Sequence, residues 1–207
     1  CVEDDVDQVQ SDIALMDQWS KDASERMKIK IDQRVLTDML TDVHASNKGQ
    51  TAGAISGNID LGVAGTPEAI TKSNVIDLLI NMGTVLDEAN APEQDRFVII
   101  PAKMAGYIKQ SDLKDASITG DGSSPLRNGR LGMIDRFTVF VSHNLYKNGS
   151  EFSVIGGHKM GFTFASQMTN METIRSETTF GNIIRGLQVY GYKVVKPEAL
   201  ATAVVTL

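Results

Sequence analysis

The segment "LDEANAPEQDRFVIIPAKM", Leu86–Met104, sets a four-residue apolar run, Phe97–Ile100, between a charged turn and a proline. Phe, Val and Ile suit the pleated, half-buried surface of a strand, and Ala91, Pro92 and Glu93 supply the turn before it. Pro101 fits the first helical position, where its missing N–H costs nothing, and "AKMAGYIKQSDL" then reads as a short amphipathic helix. A strand running into a helix can carry a catalytic group to the rim of a sheet, as in many α/β enzymes, or it can be framework. Which of the two it is decides what kind of function to look for.

Upstream, Thr71 or Ser73 can cap a helix through about Ala89, with Val75, Leu78, Leu79, Met82 and Leu86 on one face. Residues 46–66, "SNKGQTAGAISGNIDLGVAGT", are rich in Gly, Ser, Thr and Ala and read as a connector with one short strand. Residues 2–43 hold neither Gly nor Pro. Their apolar positions follow helical spacing: Val2, Val6, Val9, Ile13 and Met16, then Trp19, Ala23, Met27, Ile31, Val35, Met39 and Val43 at every fourth residue. This predicts one long helix or two nearly collinear ones, roughly 60 Å long if unbroken. Glu3, Asp4, Asp5 and Asp7 crowd its first turns, which the helix dipole favours and which reads as a solvated helix start rather than a metal site.

Downstream, residues 114–130, "KDASITGDGSSPLRNGR", form a polar loop dense in turn residues. "DRFTVFVSHNL" and "EFSVIGG" alternate like strands around Asn148-Gly149, a hairpin signal. From Met171 through "IIRGLQVYGYKVV" to "ATAVVTL" the chain reads as further strands, separated by Pro197 and a short turn or helix. No fixed-period repeat is visible. The class is α+β: one long helix, two shorter ones and mostly antiparallel strands.

With 207 residues, 42% of them hydrophobic, the chain can bury a real core as one large domain or two small intertwined ones. The net charge of −6 is uneven: residues 1–48 carry eleven acids and six bases, leaving fifteen acids against fourteen bases for the rest. A protein gripping nucleic acid through phosphates needs the opposite balance. No apolar run approaches the eighteen or so residues of a membrane span, and the start lacks a basic-then-apolar leader. Cys1 is the one cysteine, which precludes an intramolecular disulfide or a Cys-based metal cluster. A translation product would begin with Met, so Cys1 reads as a processing or cloning boundary.

An enzyme needs a constellation. His44, His143 and His158 lie far apart without HxxxH or HExxH spacing and read as surface or satisfied structural residues. "GDGSSP" places Asp121 near Ser123 and Ser124 without a GxSxG elbow, so a solvent-facing turn is the better reading. "VIGGHKMGF", residues 154–162, lacks GxGxxG spacing, and no GxxxxGK[ST] occurs. Catalytic, cofactor-binding and metal-ligating residues are therefore assigned to none of these positions.

Four segments, in order, carry a resemblance. "ASERMKIKIDQRVLTDM", residues 23–39, holds Asp32, Val35 and Leu36 in an Asp-x-x-Val-Leu pattern. "LDEANAPEQDRFVIIP" follows, then "GRLGMIDRFTVFVSHNL" at 129–145 and "FGNIIRGLQVYGYKVVKPEAL" at 180–200. Together they resemble the major capsid proteins of tailed bacteriophages, especially short-tailed ones, which have the Hong-Kong-97-type shell fold. The resemblance implies a spine helix in a peripheral domain (residues 1–49), an axial domain (50–168) and closing peripheral strands (169–207). Phe97–Ile100 is then a core strand of the axial domain and Pro101 starts a packing helix: framework, not active site.

The resemblance also implies a structural, non-enzymatic coat protein that forms pentamers and hexamers of an icosahedral shell. Such a shell would enclose DNA without sequence-specific binding or contact with a membrane. It would be assembled in the bacterial host cytoplasm, reside in the virion, need no cofactor, and meet scaffold, portal and decoration proteins as partners. The loop 115–130 would gather round five- and six-fold axes, making Asp121, Ser123, Arg127 and Arg130 axial contacts. "SETTFGN", residues 176–182, would place Thr178, Thr179 and Phe180 near three-fold contacts. Members of the resembled family have an N-terminal arm and an extended loop before the spine helix, and neither is present in the chain from Cys1. The expectation is accordingly a folded subunit that by itself stays monomeric or forms small rings, with no cross-linking chemistry assigned. An encapsulin-like nanocompartment shell shares the fold and encloses enzymes instead. A small α+β hydrolase using the Asp121–Ser124 loop is the rival of another class.

Overall fold

The computed structural model describes residues 2–4, 15–111, 132–167, 171–175 and 181–207. They divide between two compact units: Cys1–Asp32 with Phe164–Tyr192, and Gln33–Thr163 with Lys193–Leu207.

The larger unit is built on a mixed sheet in the order β2-β12-β7-β3-β5-β4, with β6 paired to β7. These strands are β2 (Glu68–Ala69), β3 (Arg96–Ile100), β4 (Met133–Ile134), β5 (Phe137–Val141), β6 (Lys147–Asn148), β7 (Glu151–His158) and β12 (Leu200–Thr206). Thus "RFVII" is a strand, as its composition predicts, and it lies inside the sheet, antiparallel to β7 and parallel to β5. Its burial alternates, Arg96, Val98 and Ile100 being fully covered. Successive side chains of a strand point to opposite faces, so one face of β3 carries Arg96, Val98 and Ile100 and the other Phe97 and Ile99.

Both faces are covered. On the first, Val98, Ile100, Val154, Ala201, Ala203 and Val205 meet helix α2 (Val75–Glu88) and helix α3 (Ala102–Gln110) in one apolar cluster. The predicted face of α2, Val75, Leu78, Leu79, Met82 and Leu86, is buried throughout. On the second face, Phe97, Ile99, Ile155 and Leu200 pack with Leu36 and Met39 from the end of helix α1 (Leu15–Thr41) and with Val43 just beyond it. The small residues of β12, Ala201 and Ala203, keep α2 close to the sheet.

Several boundaries differ from the sequence expectation. Val2–Asp4 is not a helix start but strand β1, antiparallel to β10 (Gly181–Gly186). β10 takes up the backbone hydrogen bonds of these three residues, so Glu3 and Asp4 are strand residues rather than the acids of a helix's first turn. The helix begins at Leu15 and spans 27 residues, roughly 40 Å. Asn74, not Thr71 or Ser73, is the residue before α2; its amide accepts from the Thr71 N–H (2.7 Å) and donates to the Ala69 carbonyl (2.8 Å). Pro101 precedes the first turn of α3 by one residue and is extended. The hairpin turn is Gly149-Ser150, with Asn148 opposite Glu151 and Gly149 at φ +58°, as a Gly-first turn requires. The expectation grouped residues 169–207 together; Leu200–Thr206 lies beside β7 in the sheet of the larger unit.

In the smaller unit β1, β10 and β9 (Met171–Arg175) form a three-stranded antiparallel sheet. β8 (Phe162–Gln167) pairs with β11 (Val189–Val194). Phe164, Tyr190 and Tyr192 stack in sequence, with ring centroids 6.3 and 6.1 Å apart.

Candidate functional site

Arg96 is the largest fully buried side chain of the described residues. Its parity on β3 aims it at the underside of α2, where the helix ends and the turn 89–95 begins. There Nε donates to the Pro92 carbonyl (2.8 Å), and Nη2 donates to the Ala91 carbonyl (2.8 Å) and to Asp87 Oδ1 (2.7 Å). Nη1 reaches the Gly83 carbonyl at 3.4 Å. A guanidinium in this position closes the carbonyls that the helix end and the turn leave without partners.

Arg136 completes the cluster from the other side. It sits in the two-residue turn between β4 and β5, where Asp135 and Arg136 both take positive φ (44° and 65°). Its Nη2 donates to Asp87 Oδ2 at 2.7 Å and Nη1 lies 3.4 Å from Glu93. Gly83 makes room for this turn: a Cβ there would lie 2.3 Å from Asp135 Oδ2. Burial works to raise the Asp87 carboxyl, but hydrogen bonds from Arg136 and Arg96 and their charges outweigh it and hold it below the ordinary carboxylate range. The hydrogen bond from Arg136 to Asp87 correspondingly raises the guanidinium. One carboxylate thus ties helix, strand and hairpin together.

Two other anchors fix the connector 46–66 to the sheet. Asn47 is fully buried and donates to the carbonyls of Glu198 (2.7 Å) and Leu200 (2.9 Å). Gly62, at φ +72°, lets the connector pass β12 so closely that a Cβ would fall 2.2 Å from the Val204 oxygen. Glu88 accepts from the Ser56 and Ile55 N–H groups (3.0 and 2.8 Å), which lower its carboxyl. Asp95 is lowered by its hydrogen bond from Lys159.

Each of these groups is tied to backbone or to a side chain of opposite charge. His44 is exposed with Nδ1 2.7 Å from Ser46 Oγ, His143 is exposed, and buried His158 accepts from the Met160 N–H at 3.1 Å. The three do not converge, and the described residues hold no group of three His, Cys, Asp or Glu able to bind a metal. A cavity of about 300 Å³ is lined by Leu40, Val63, Val204, Ser153, Thr202 and Lys48 among others. The Lys48 ammonium donates to the Thr41 carbonyl (3.3 Å), and the described lining holds no histidine or carboxylate beside the hydroxyls of Ser153 and Thr202.

The sequence-predicted contact residues Asp121, Ser123, Arg127 and Arg130 lie outside the described residues, as do Thr178, Thr179 and Phe180. The first group belongs to the segment joining α3 to β4, the second to the one joining β9 to β10. Sequence reasoning missed Arg96, Asp87 and Arg136. Arg96 had a usable signal: it shares strand parity with Val98 and Ile100, which marks it as inward-facing.

The family model described as phage capsid protein matches residues 2–203. No curated protein matches the chain. Among solved structures, one of Mycobacterium phage Che8 aligns at TM-score 0.74 and 25% identity, covering 99% of this chain and 68% of that one. The capsid structure of cyanophage P-SCSP1u aligns at TM-score 0.73 and 17% identity over 100% of this chain and 70% of its own. The mature capsid of bacteriophage PhiM1 follows at 0.65 and 12%, covering 100% and 69%. The strand in question is accordingly framework, its fold is that of Hong-Kong-97-type shells, and the chain belongs to the phage capsid protein family as a coat-protein subunit.

Proposed function

We propose that the chain is the major capsid subunit of a tailed bacteriophage or prophage of the short-tailed type, forming pentamers and hexamers of an icosahedral shell that encloses DNA. The match over residues 2–203 carries this reading, and the alignment to the PhiM1 mature capsid over the whole chain supports it. The role is structural rather than enzymatic, in keeping with the family. A net charge of −6 suits a container that does not grip its polyanionic cargo.

On this reading the larger unit serves as the axial domain, with the loop 115–130 gathering round the five- and six-fold axes. Asp121, Ser123, Arg127 and Arg130 meet their counterparts there, and the smaller unit is peripheral, with Thr178, Thr179 and Phe180 near three-fold contacts. The pairing of β12 with β7 supports assigning Lys193–Leu207 to the axial rather than the peripheral domain. Assembly takes place in the host cytoplasm with scaffold, portal and decoration proteins as partners.

Electron microscopy of the gene product, expressed alone and with its neighbouring phage genes, tests the reading. DNA-filled icosahedral particles in the co-expression are the expected result. Particles filled with an enzyme would favour a nanocompartment. A protein that never assembles and shows a hydrolytic activity abolished by replacing Asp121, Ser123 and Ser124 with Ala would overturn the coat role.

A further inference from the structure

We propose that His158 is a pH-sensitive latch: its neutral ring holds the turn through which the chain leaves the larger unit, and protonation of the ring releases that turn. The inference concerns the folded subunit and does not depend on the coat reading.

His158 ends β7, and the short 3-10 helix Lys159–Gly161 follows it directly. The chain passes into the smaller unit two residues beyond that turn, after Thr163, and returns at Lys193. Gly161 ties the outgoing chain to the returning one, its carbonyl accepting from the N–H groups of Val195 (2.9 Å) and Lys196 (3.3 Å). The fit is close: a Cβ on Gly161 would lie 2.8 Å from the Leu200 side chain. The imidazole fixes the start of the turn. His158 is 5% exposed, and its Nδ1 accepts from the Met160 N–H at 3.1 Å.

A ring nitrogen that accepts a hydrogen bond carries no proton. Protonation places an N–H on Nδ1, facing the Met160 N–H, so this cap and the imidazolium exclude each other. Histidine is also the side chain whose ordinary change of charge falls between pH 5 and pH 8.

The charged groups around the ring keep their own states across that range. Arg96 stands opposite His158 on β3, with its guanidinium committed to Asp87, Ala91 and Pro92. Asp95 is lowered by the hydrogen bond from Lys159 and then by the lysine's charge, so the pair stays ionised at pH 5. A charge on His158 lowers Asp95 further, and this carboxylate therefore favours the imidazolium that the cap disfavours. Lys196 and Glu198, on the segment packed against the turn, are exposed and opposite in sign.

Hydrogen–deuterium exchange of the full chain between pH 8 and pH 5 tests the latch, read by mass spectrometry as protection relative to the intrinsic rate at each pH. In the parent, protection of residues 159–163 and 194–197 should fall about fivefold on acidification, the worth of one ordinary hydrogen bond, while β3 and β12 keep theirs. His158→Asn puts Oδ1 where Nδ1 stands, since each is bonded to Cγ, and it does not titrate in this range. That variant should hold the parent's pH 8 protection throughout. His158→Leu has no acceptor and should show the low value at both ends. His44 and His143 titrate in every variant and so cancel. Thermal melts at pH 8 check folding, and where the Leu variant does not fold the parent and Asn profiles decide. A parent whose turn keeps its protection at pH 5, or an Asn variant that loses as much as the parent, would overturn the inference. So would a loss spread evenly over β3 and β12, which marks general acid unfolding. None of these results bears on the coat role, which particle formation tests.

Discussion

Helices α1 and α2 use their apolar residues in different ways. Along α2, seven of its fourteen residues are buried, and the burial repeats at the three- and four-residue spacing of one face. Along α1 from Lys21 to Lys30, Met27 alone is even half-covered and Ile29 is 44% exposed. What stabilises this half of α1 locally is a set of exposed pairs, Arg26 with Asp22 at 2.8 Å and Lys28 with Glu25 at 2.6 Å. Pairs of this kind contribute about 0.3–0.5 kcal/mol each. From Ile31 onward the same stripe is covered, with Leu36, Met39 and Val43 in the second core. Periodicity therefore reports that a helix could bury a face. Whether it does depends on what the rest of the chain brings to it.

The largest effect should come from the cluster beneath α2. Arg96→Ala removes a buried charge from Asp87 and leaves the carbonyls of Ala91 and Pro92 without their donor, so a loss of about 3–5 kcal/mol is expected in denaturant melts. A loss under 1 kcal/mol would mean that water or Arg136 replaces the guanidinium, and that α2 is fixed by packing alone.

Leu79→Ala, at a fully buried position of α2, should cost about 2–5 kcal/mol through lost transfer energy and the cavity left behind. Ile29→Ala in α1 should stay within about 0.5 kcal/mol in the isolated subunit. Equal losses would show that the contrast between the two helices is not one of burial. Met27→Asp falls between them: half-covered Met27 gives the charge a route to water, so about 1 kcal/mol is expected rather than the larger cost of a sealed site.

The same contrast explains what could be read in the sequence. Phe97–Ile100 and the face of α2 were legible because their spacing and their burial coincide locally. Val2–Asp4 was not, since three residues carry no period of their own and the partner β10 lies near the other end of the chain. The pairing of "ATAVVTL" with β7 was hidden for a like reason: a strand can be recognised from composition, but its neighbours are set by contacts distant in sequence. Asn47 gave no signal at all, since a buried amide that caps two distant carbonyls looks like any loop asparagine. Arg96 was half-legible, its parity pointing inward and its charge pointing the reader outward. The proposed contact residues of the two loops were named from resemblance alone, because residues that meet another subunit leave no periodic trace in their own chain.

The smallest predicted effect separates charge from packing within the Asp87 cluster. Arg136→Gln keeps a long polar side chain in the turn but removes one of the two cations that depress Asp87. A carboxyl whose folded pKa lies below its unfolded value of about 3.9 contributes stability that is fully present above that value. The contribution is lost as pH falls through the folded pKa. Losing Arg136 raises the folded pKa toward the ordinary range, so the variant has less of this stability to lose. With Arg136 and Asp87 side chains 38% and 39% exposed, solvent screening limits the deficit at pH 7 to about 1 kcal/mol or less. The two proteins should then converge on acidification, because a protonated Asp87 attracts neither arginine as a charge. Urea melts from pH 7 to pH 2 would show it: a gap that closes below pH 4 assigns Arg136 an electrostatic role, whereas a gap that persists unchanged would make it a packing residue of the β4–β5 turn.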